Sequence, residues 1–207
     1  MGRRARCSGD WRGPLALATA LAAAPPLALA GRSGPSLPAR LQVSAASRLA
    51  LHSPDIASGR AIALSHVYDA SGCHGGNSSP ALSWSDPPAG TRSFAVLMLD
   101  PDAPGGGWWH WAVFDIPAGV RSLRAGAGDP ARHLLPPGAI QVRNDWGSVG
   151  YGGPCPPPGP AHHYHLMLYA VRLDRLGLGA GASAAPVAAA VLANALAEAQ
   201  IVGLYGR

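Results

Sequence analysis

The sequence predicts a mostly-β fold, an antiparallel β-sandwich closed by one C-terminal α-helix. Three observations carry this. The apolar runs are short, as in Phe94-Ala95-Val96-Leu97-Met98-Leu99 and Trp111-Ala112-Val113-Phe114. Proline- and glycine-rich turns separate them at close spacing, with no helical patterns between, which argues for a sandwich or barrel rather than βα units. The one stripe at helical spacing lies at the end of the chain, at Val187, Val191, Leu192, Leu196 and Ala199.

The chain has 207 residues, enough for one domain, with 48% hydrophobic and 13% charged residues, far from a disordered composition. All 16 basic residues are arginine and the formal charge is +5. Four of those arginines (Arg3, Arg4, Arg6, Arg12) fall in the first twelve residues. Without residues 1–30, twelve basic and ten acidic side chains remain, a net of +2, and no basic cluster of phosphate-backbone size survives. Nucleic acid is disfavoured as a partner.

Residues 1–30 read as a secretory signal. Arginines form its basic start, Leu15 to Ala24 is its apolar stretch, and Ala28-Leu29-Ala30 offers small residues for a cut before Gly31. Pro25-Pro26 breaks the stretch, leaving it too short to span a membrane. The expected mature protein is exported, periplasmic or secreted. Residues 31–47 then form a flexible Gly/Ser/Pro linker, and the domain covers 48–207. Export would leave Cys73 and Cys155, an even pair in an oxidising compartment. A bridge would close a loop of about 80 residues, nominally about 4 kcal/mol in the chain-entropy model. Two buried thiols are equally compatible with the sequence.

Along the domain, Leu49 and Leu51 alternate with Ala50 and His52, and Ile62 and Leu64 continue a short-strand pattern. Leu82 and Trp84 alternate with serines, as in a half-buried strand, and Asp86-Pro87-Pro88-Ala89-Gly90 makes a turn. Strands follow at 94–99, 109–116, around Ile140 and Val142, and from His165 to Leu173. The terminal helix starts behind Ser183 with Pro186 in its first turn, stops near Gly203, and should cover the sheet.

Two stretches carry the chemistry. In the first, Asp100-Pro101-Asp102-Ala103-Pro104 joins two strands and leads through glycines to His110-Trp111. Its prolines remove backbone donors, so it cannot continue a ladder. Its aspartates can cap the turn or orient a histidine. The second runs from Asn144-Asp145-Trp146-Gly147 through Tyr151-Gly152-Gly153-Pro154-Cys155-Pro156-Pro157-Pro158 to His162-His163-Tyr164. Its glycines let backbone approach a ligand and turn N–H groups inward, which suits an anion. On the following strand His162 and Tyr164 share one face, His163 and His165 the other.

Read together and in order, these stretches resemble the phosphatidylethanolamine-binding protein family, and within it the bacterial Raf kinase inhibitor-like branch. The likeness runs from about Leu49 to Tyr205 and includes Ser79-Pro80-Ala81-Leu82-Ser83-Trp84 and the ending Leu196 to Tyr205. It implies a Greek-key β-sandwich with a small pocket for phosphate, phosphorylethanolamine or a phospholipid headgroup. Carried over by residue, that pocket is Asp100, Asp102, Pro104, His110, Gly153, Pro154, His162 and Tyr164, with Trp108 as a wall. His163 stands where a basic residue such as arginine is frequent, at a position expected to face away from the pocket. Histidines titrating near neutrality can donate to a phosphate. Asp100 can hold a histidine as a donor, accept from a monohydrogen phosphate, or receive an ammonium. A ligand with both charges would satisfy carboxylate and imidazole together.

Other classes fit less well. The aspartate pair lacks the flanking residues and βα units of phosphoryl-transferring hydrolases, and no Gly-x-Ser-x-Gly elbow occurs. Neighbouring histidines on a strand point to opposite faces, so at most two of His162, His163 and His165 could share a metal. The expectation is a binding protein without catalysis, metal or cofactor. The alternative is inhibition of a protein partner, a peptidase or kinase, through loops at the pocket rim. An exported chain would not meet cytosolic kinases.

Overall fold

The computed structural model describes residues 49–207, so the leader and linker expected over residues 1–47 lie outside the described residues. Eight strands form two antiparallel sheets. Strands β1 (Ala50–His52), β2 (Leu82–Ser85) and β5 (Ser122–Leu123) make a small sheet in the order β1-β2-β5. Strands β3 (Ser93–Asp100), β4 (Trp108–Pro117), β6 (Ile140–Gln141), β7 (His162–Val171) and β8 (Ala195–Tyr205) make a larger one, in the order β6-β4-β3-β7-β8. Helix α1 (Ala184–Asn194) precedes β8.

The apolar runs of β3, β4 and β7 are continuous because the large sheet is covered on both faces. Phe94, Val96 and Met98 of β3 join Trp111 and Val113 of β4 and Leu166 and Leu168 of β7 in one core, against Leu51, Leu82 and Trp84 of the small sheet. The alternate residues Ala95, Leu97, Ala112, Phe114, Met167 and Tyr169 pack on Val187, Ala188 and Val191 of α1. The result is three layers around two cores. Each fully buried large apolar side chain contributes about 1.5–3 kcal/mol. A charge at Val96 or Leu97 would find no solvent on either side of the sheet.

Two expectations are corrected. The helix ends at Asn194 rather than near Gly203, and Ala195–Tyr205 is a strand paired with β7 along its length. Its most buried residues, Ala197, Ile201 and Gly203, are separated by four and two, and a spacing of four fits a helical face and a strand face alike. Leu192, assigned to the helical stripe, is 50% exposed. The second correction concerns Leu64, which lies in a short 3-10 turn (Leu64–His66) rather than a strand and is 63% exposed.

Candidate functional site

The site forms where the β3–β4 turn, the start of β7 and the 144–157 loop meet. Asp100 ends β3. Its Oδ1 accepts from the Asp102 N–H at 2.9 Å, the local bond that makes aspartate a turn residue. Its Oδ2 accepts from His162 Nδ1 at 2.8 Å, a pair almost wholly out of solvent. The second aspartate does something different. Asp102 Oδ2 accepts from both the backbone N–H and Nδ1 of His163, each at 2.8 Å, on an exposed flank. The His163 ring, then its backbone N–H, holds the Asp102 carboxyl below its ordinary value. Strand alternation explains the division, since His162 and Tyr164 point into the cavity and His163 away from it.

His110 reaches the cavity through a β-bulge. Met98 pairs with Trp111, but the next residue, Leu99, pairs with Trp109, so β4 has one residue too many at His110. Strict alternation would put Trp111 on the inner face and His110 on the helix side. The bulge places both inward, with Trp109 on the helix side. His110 is 2% exposed. Its Nδ1 donates to the Gly152 carbonyl at 2.6 Å and lies 3.1 Å from that of Gly153. Burial pushes its pKa below the ordinary histidine value, against the opposing pull of those carbonyls and Asp100. Burial, and then the Asp100 carboxylate, pushes the Tyr164 phenol up, so it stays an O–H. It lies near Asp100 without hydrogen-bonding geometry to any partner among the described residues.

The 144–157 loop forms the opposite wall. The Trp146 indole stacks on Tyr68 with ring centres 4.3 Å apart and meets Trp108 edge-on at 5.0 Å. The Cys73–Cys155 disulfide joins this loop to the 68–77 segment, across 82 positions of sequence. The expectation that glycine N–H groups turn toward an anion is corrected. Gly150 N–H donates to Val142, Gly152 N–H to the His110 carbonyl, and Gly153 N–H to Asn77 Oδ1. The loop presents carbonyls to His110 instead. Its glycines serve close packing, since a Cβ on Gly153 would lie 2.2 Å from the His66 carbonyl oxygen.

The cavity holds roughly 220 Å³, small beside the ~300–1,000 Å³ of sites for drug-sized ligands. Of the residues expected there, Asp100, Pro104, Trp108, His110, His162 and Tyr164 line it. Asp102, Gly153 and Pro154 do not line it. Asp102 holds His163, the Gly153 carbonyl faces His110, and the Pro154 carbonyl accepts from Tyr68 N–H at 3.0 Å. Sequence reasoning assigned no lining role to Trp146 or to Cys155-Pro156-Pro157, although all stand in the stretch singled out. The closure of this loop onto Tyr68, through the Trp146 stack, turns them into a wall.

Four buried side-chain polar atoms among the described residues lack a partner. Three belong to cavity residues, namely Trp108 Nε1, His110 Nε2 and Tyr164 Oη, while the fourth, Trp84 Nε1, lies in the core. Buried polar groups are normally satisfied, so this concentration singles out the cavity as the candidate site. Indole and phenol offer hydrogens there, beside the Asp100 carboxyl and the outer nitrogen of His162.

Known proteins share this arrangement of sequence and fold. The family profile described as phosphatidylethanolamine-binding protein matches residues 52–206. The chain is 45% identical over 155 residues to UPF0098 protein YbcL of Escherichia coli, covering 74% of this chain and 85% of that one. It is 41% identical over 156 residues to YbhB of the same organism, covering 75% and 98%. The crystal structure of E. coli YbcL, a member of the mammalian PEBP family, superposes with a TM-score of 0.75 at 44% identity, covering 77% of this chain and 98% of that one. The chain therefore belongs to the phosphatidylethanolamine-binding protein family.

Proposed function

We propose that this chain is an exported, non-enzymatic binding protein whose cavity holds a small phosphate-bearing group, as in phosphate or phosphorylethanolamine. The supporting observation is the set of unpartnered buried polar atoms on Trp108, His110 and Tyr164, beside the Asp100–His162 pair. The anionic part of a ligand would meet the Tyr164 O–H and the outer nitrogen of His162. The Asp100 carboxylate favours a ligand that also carries an ammonium. Family membership supports the same chemistry. Export is supported by the disulfide, which suits an oxidising compartment, and by a Mycobacterium tuberculosis relative, 36% identical over 162 residues, that carries a lipoprotein name. No helix among the described residues is long and apolar enough to cross a membrane.

Calorimetric titration of the full chain with phosphorylethanolamine and inorganic phosphate tests this reading, beside His162→Ala. Saturable binding is expected, tighter for phosphorylethanolamine, and weakened about 10- to 100-fold by the variant, as for a lost charge-assisted hydrogen bond. Absence of binding to the unaltered chain overturns the reading.

A further inference from the structure

The inner wall of the cavity holds a lone pair where an anion pocket would be expected to hold a proton. The His110 Nδ1 faces two backbone carbonyls, at 2.6 and 3.1 Å, and a carbonyl can only accept. That nitrogen therefore keeps the single proton of the neutral ring, and Nε2 is left as an acceptor. No donor among the described residues reaches it. The groups around the ring are Asp100 on β3, His162 and Tyr164 on β7, and Asp145 and Trp146 on the loop. Both Asp100 oxygens already accept, from Asp102 N–H and His162. Burial of the ring opposes a second proton on it.

An oxyanion without a hydrogen would set its lone pairs against that of Nε2. A phosphate group that keeps one hydrogen would donate it there, while its other oxygens accept from Tyr164 and His162. We propose that the cavity takes a phosphate group in its proton-bearing form, with P–OH donating to His110 Nε2, and so selects phosphomonoesters over phosphodiesters and sulfate. This rests on the reading that the cavity holds phosphate. A monoester has its second pKa near ~6 and regains a hydrogen at little cost. A diester has none to give at neutral pH. The favoured occupant is then a free headgroup or another phosphorylated small molecule, not the diester linkage of an intact phospholipid.

The test is calorimetric titration of the full chain at pH 6 with inorganic phosphate, sulfate, methyl phosphate and dimethyl phosphate, repeated with His110→Gln. Phosphate and methyl phosphate are expected to bind at least about tenfold more tightly than sulfate and dimethyl phosphate, as for a buried acceptor left unmatched. In His110→Gln, whose amide can donate, phosphate and sulfate should approach parity. Sulfate within about threefold of phosphate, or dimethyl within threefold of methyl phosphate, overturns the proposal while leaving phosphate binding intact. A folded His110→Gln that keeps the original ratio also overturns it. Should that variant fail to melt cooperatively, the ratios of the unaltered chain decide alone. If none of the four probes binds, the phosphate reading falls and this proposal with it.

Discussion

Breaking the Cys73–Cys155 bridge should be the largest single loss of stability available outside the two cores. The bond spans 82 positions, and a closed loop of that length constrains the unfolded chain by about 4.5 kcal/mol in the chain-entropy model. At roughly 2–4 °C per kcal/mol for a domain of this size, the melting temperature should fall by about 9–18 °C. The native side adds to this. Both cysteines are buried with Val67 in a cluster that Tyr68, Trp146 and Tyr205 pack upon. Releasing the loops would therefore loosen the Tyr68–Trp146 stack that walls the cavity, and ligand affinity should fall with stability. The assay is differential scanning calorimetry of the full chain with and without reductant, beside the double variant Cys73→Ala, Cys155→Ala. Reduction and substitution should agree, which separates loss of the cross-link from loss of side-chain volume. A reduced protein that melts within about 2 °C of the oxidised one would refute the reasoning.

Two further predictions concern the pocket. Gly153→Ala should destabilise the protein by about 1–3 kcal/mol, because the new Cβ meets the backbone of the 66–68 stretch (His66 O at 2.2 Å, Tyr68 N and Val67 C at 2.7 Å), and a urea melt matching the parent would sink this account. The second concerns pH. Burial holds His110 below its ordinary value of ~6.5 in the folded chain, so on acidification the unfolded chain takes up this proton first. Stability from this group is complete above about pH 6.5 and declines as pH falls toward the folded-state pKa. Urea melts between pH 5 and 8 should show His110→Gln losing about one proton of that slope, and an unchanged slope would show that the ring is not held neutral by burial.

Strands β3, β4 and β7 were legible in the sequence because both faces of the large sheet are buried, which leaves runs such as Phe94–Leu99 with no polar interruption. Strand β8 was not. Alanines at 195, 197 and 199 pack on either kind of surface, and the four-residue step from Ala197 to Ile201 belongs to both periods. What decides is pairing with β7 from His162↔Tyr205 to Val171↔Ala195, a relation between two distant segments. The chemistry-bearing residues were legible for a related reason. Asp100, His110, His162 and Tyr164 each lie in a local motif. Gly152 and Gly153 were recognised as sites of close backbone approach, yet which groups approach, and whether amide or carbonyl then faces inward, depends on distant segments, His110 of β4 for Gly152 and residues 66–77 for Gly153.

The bulge shows why motif and site are different kinds of information. The words His110-Trp111 can be read from the chain, but a strand of strict alternation would send those two side chains to opposite faces. One would lie in the core and the other under the helix. The cavity exists because β4 carries one more residue than β3 between the Met98 and Leu99 pairs. That extra residue turns the imidazole inward beside Tyr164, with ring centres 5.2 Å apart. The 152–153 carbonyls then fix the orientation of the ring, and Asp100 does the same for His162 across the cavity. The two histidines are thereby made unlike. His162 gives its Nδ1 proton to a carboxylate, while His110, on carbonyls and buried, is set up to keep a lone pair. A cavity with one imidazole of each kind can place a donor and an acceptor on the same phosphate group, which two equivalent histidines could not do.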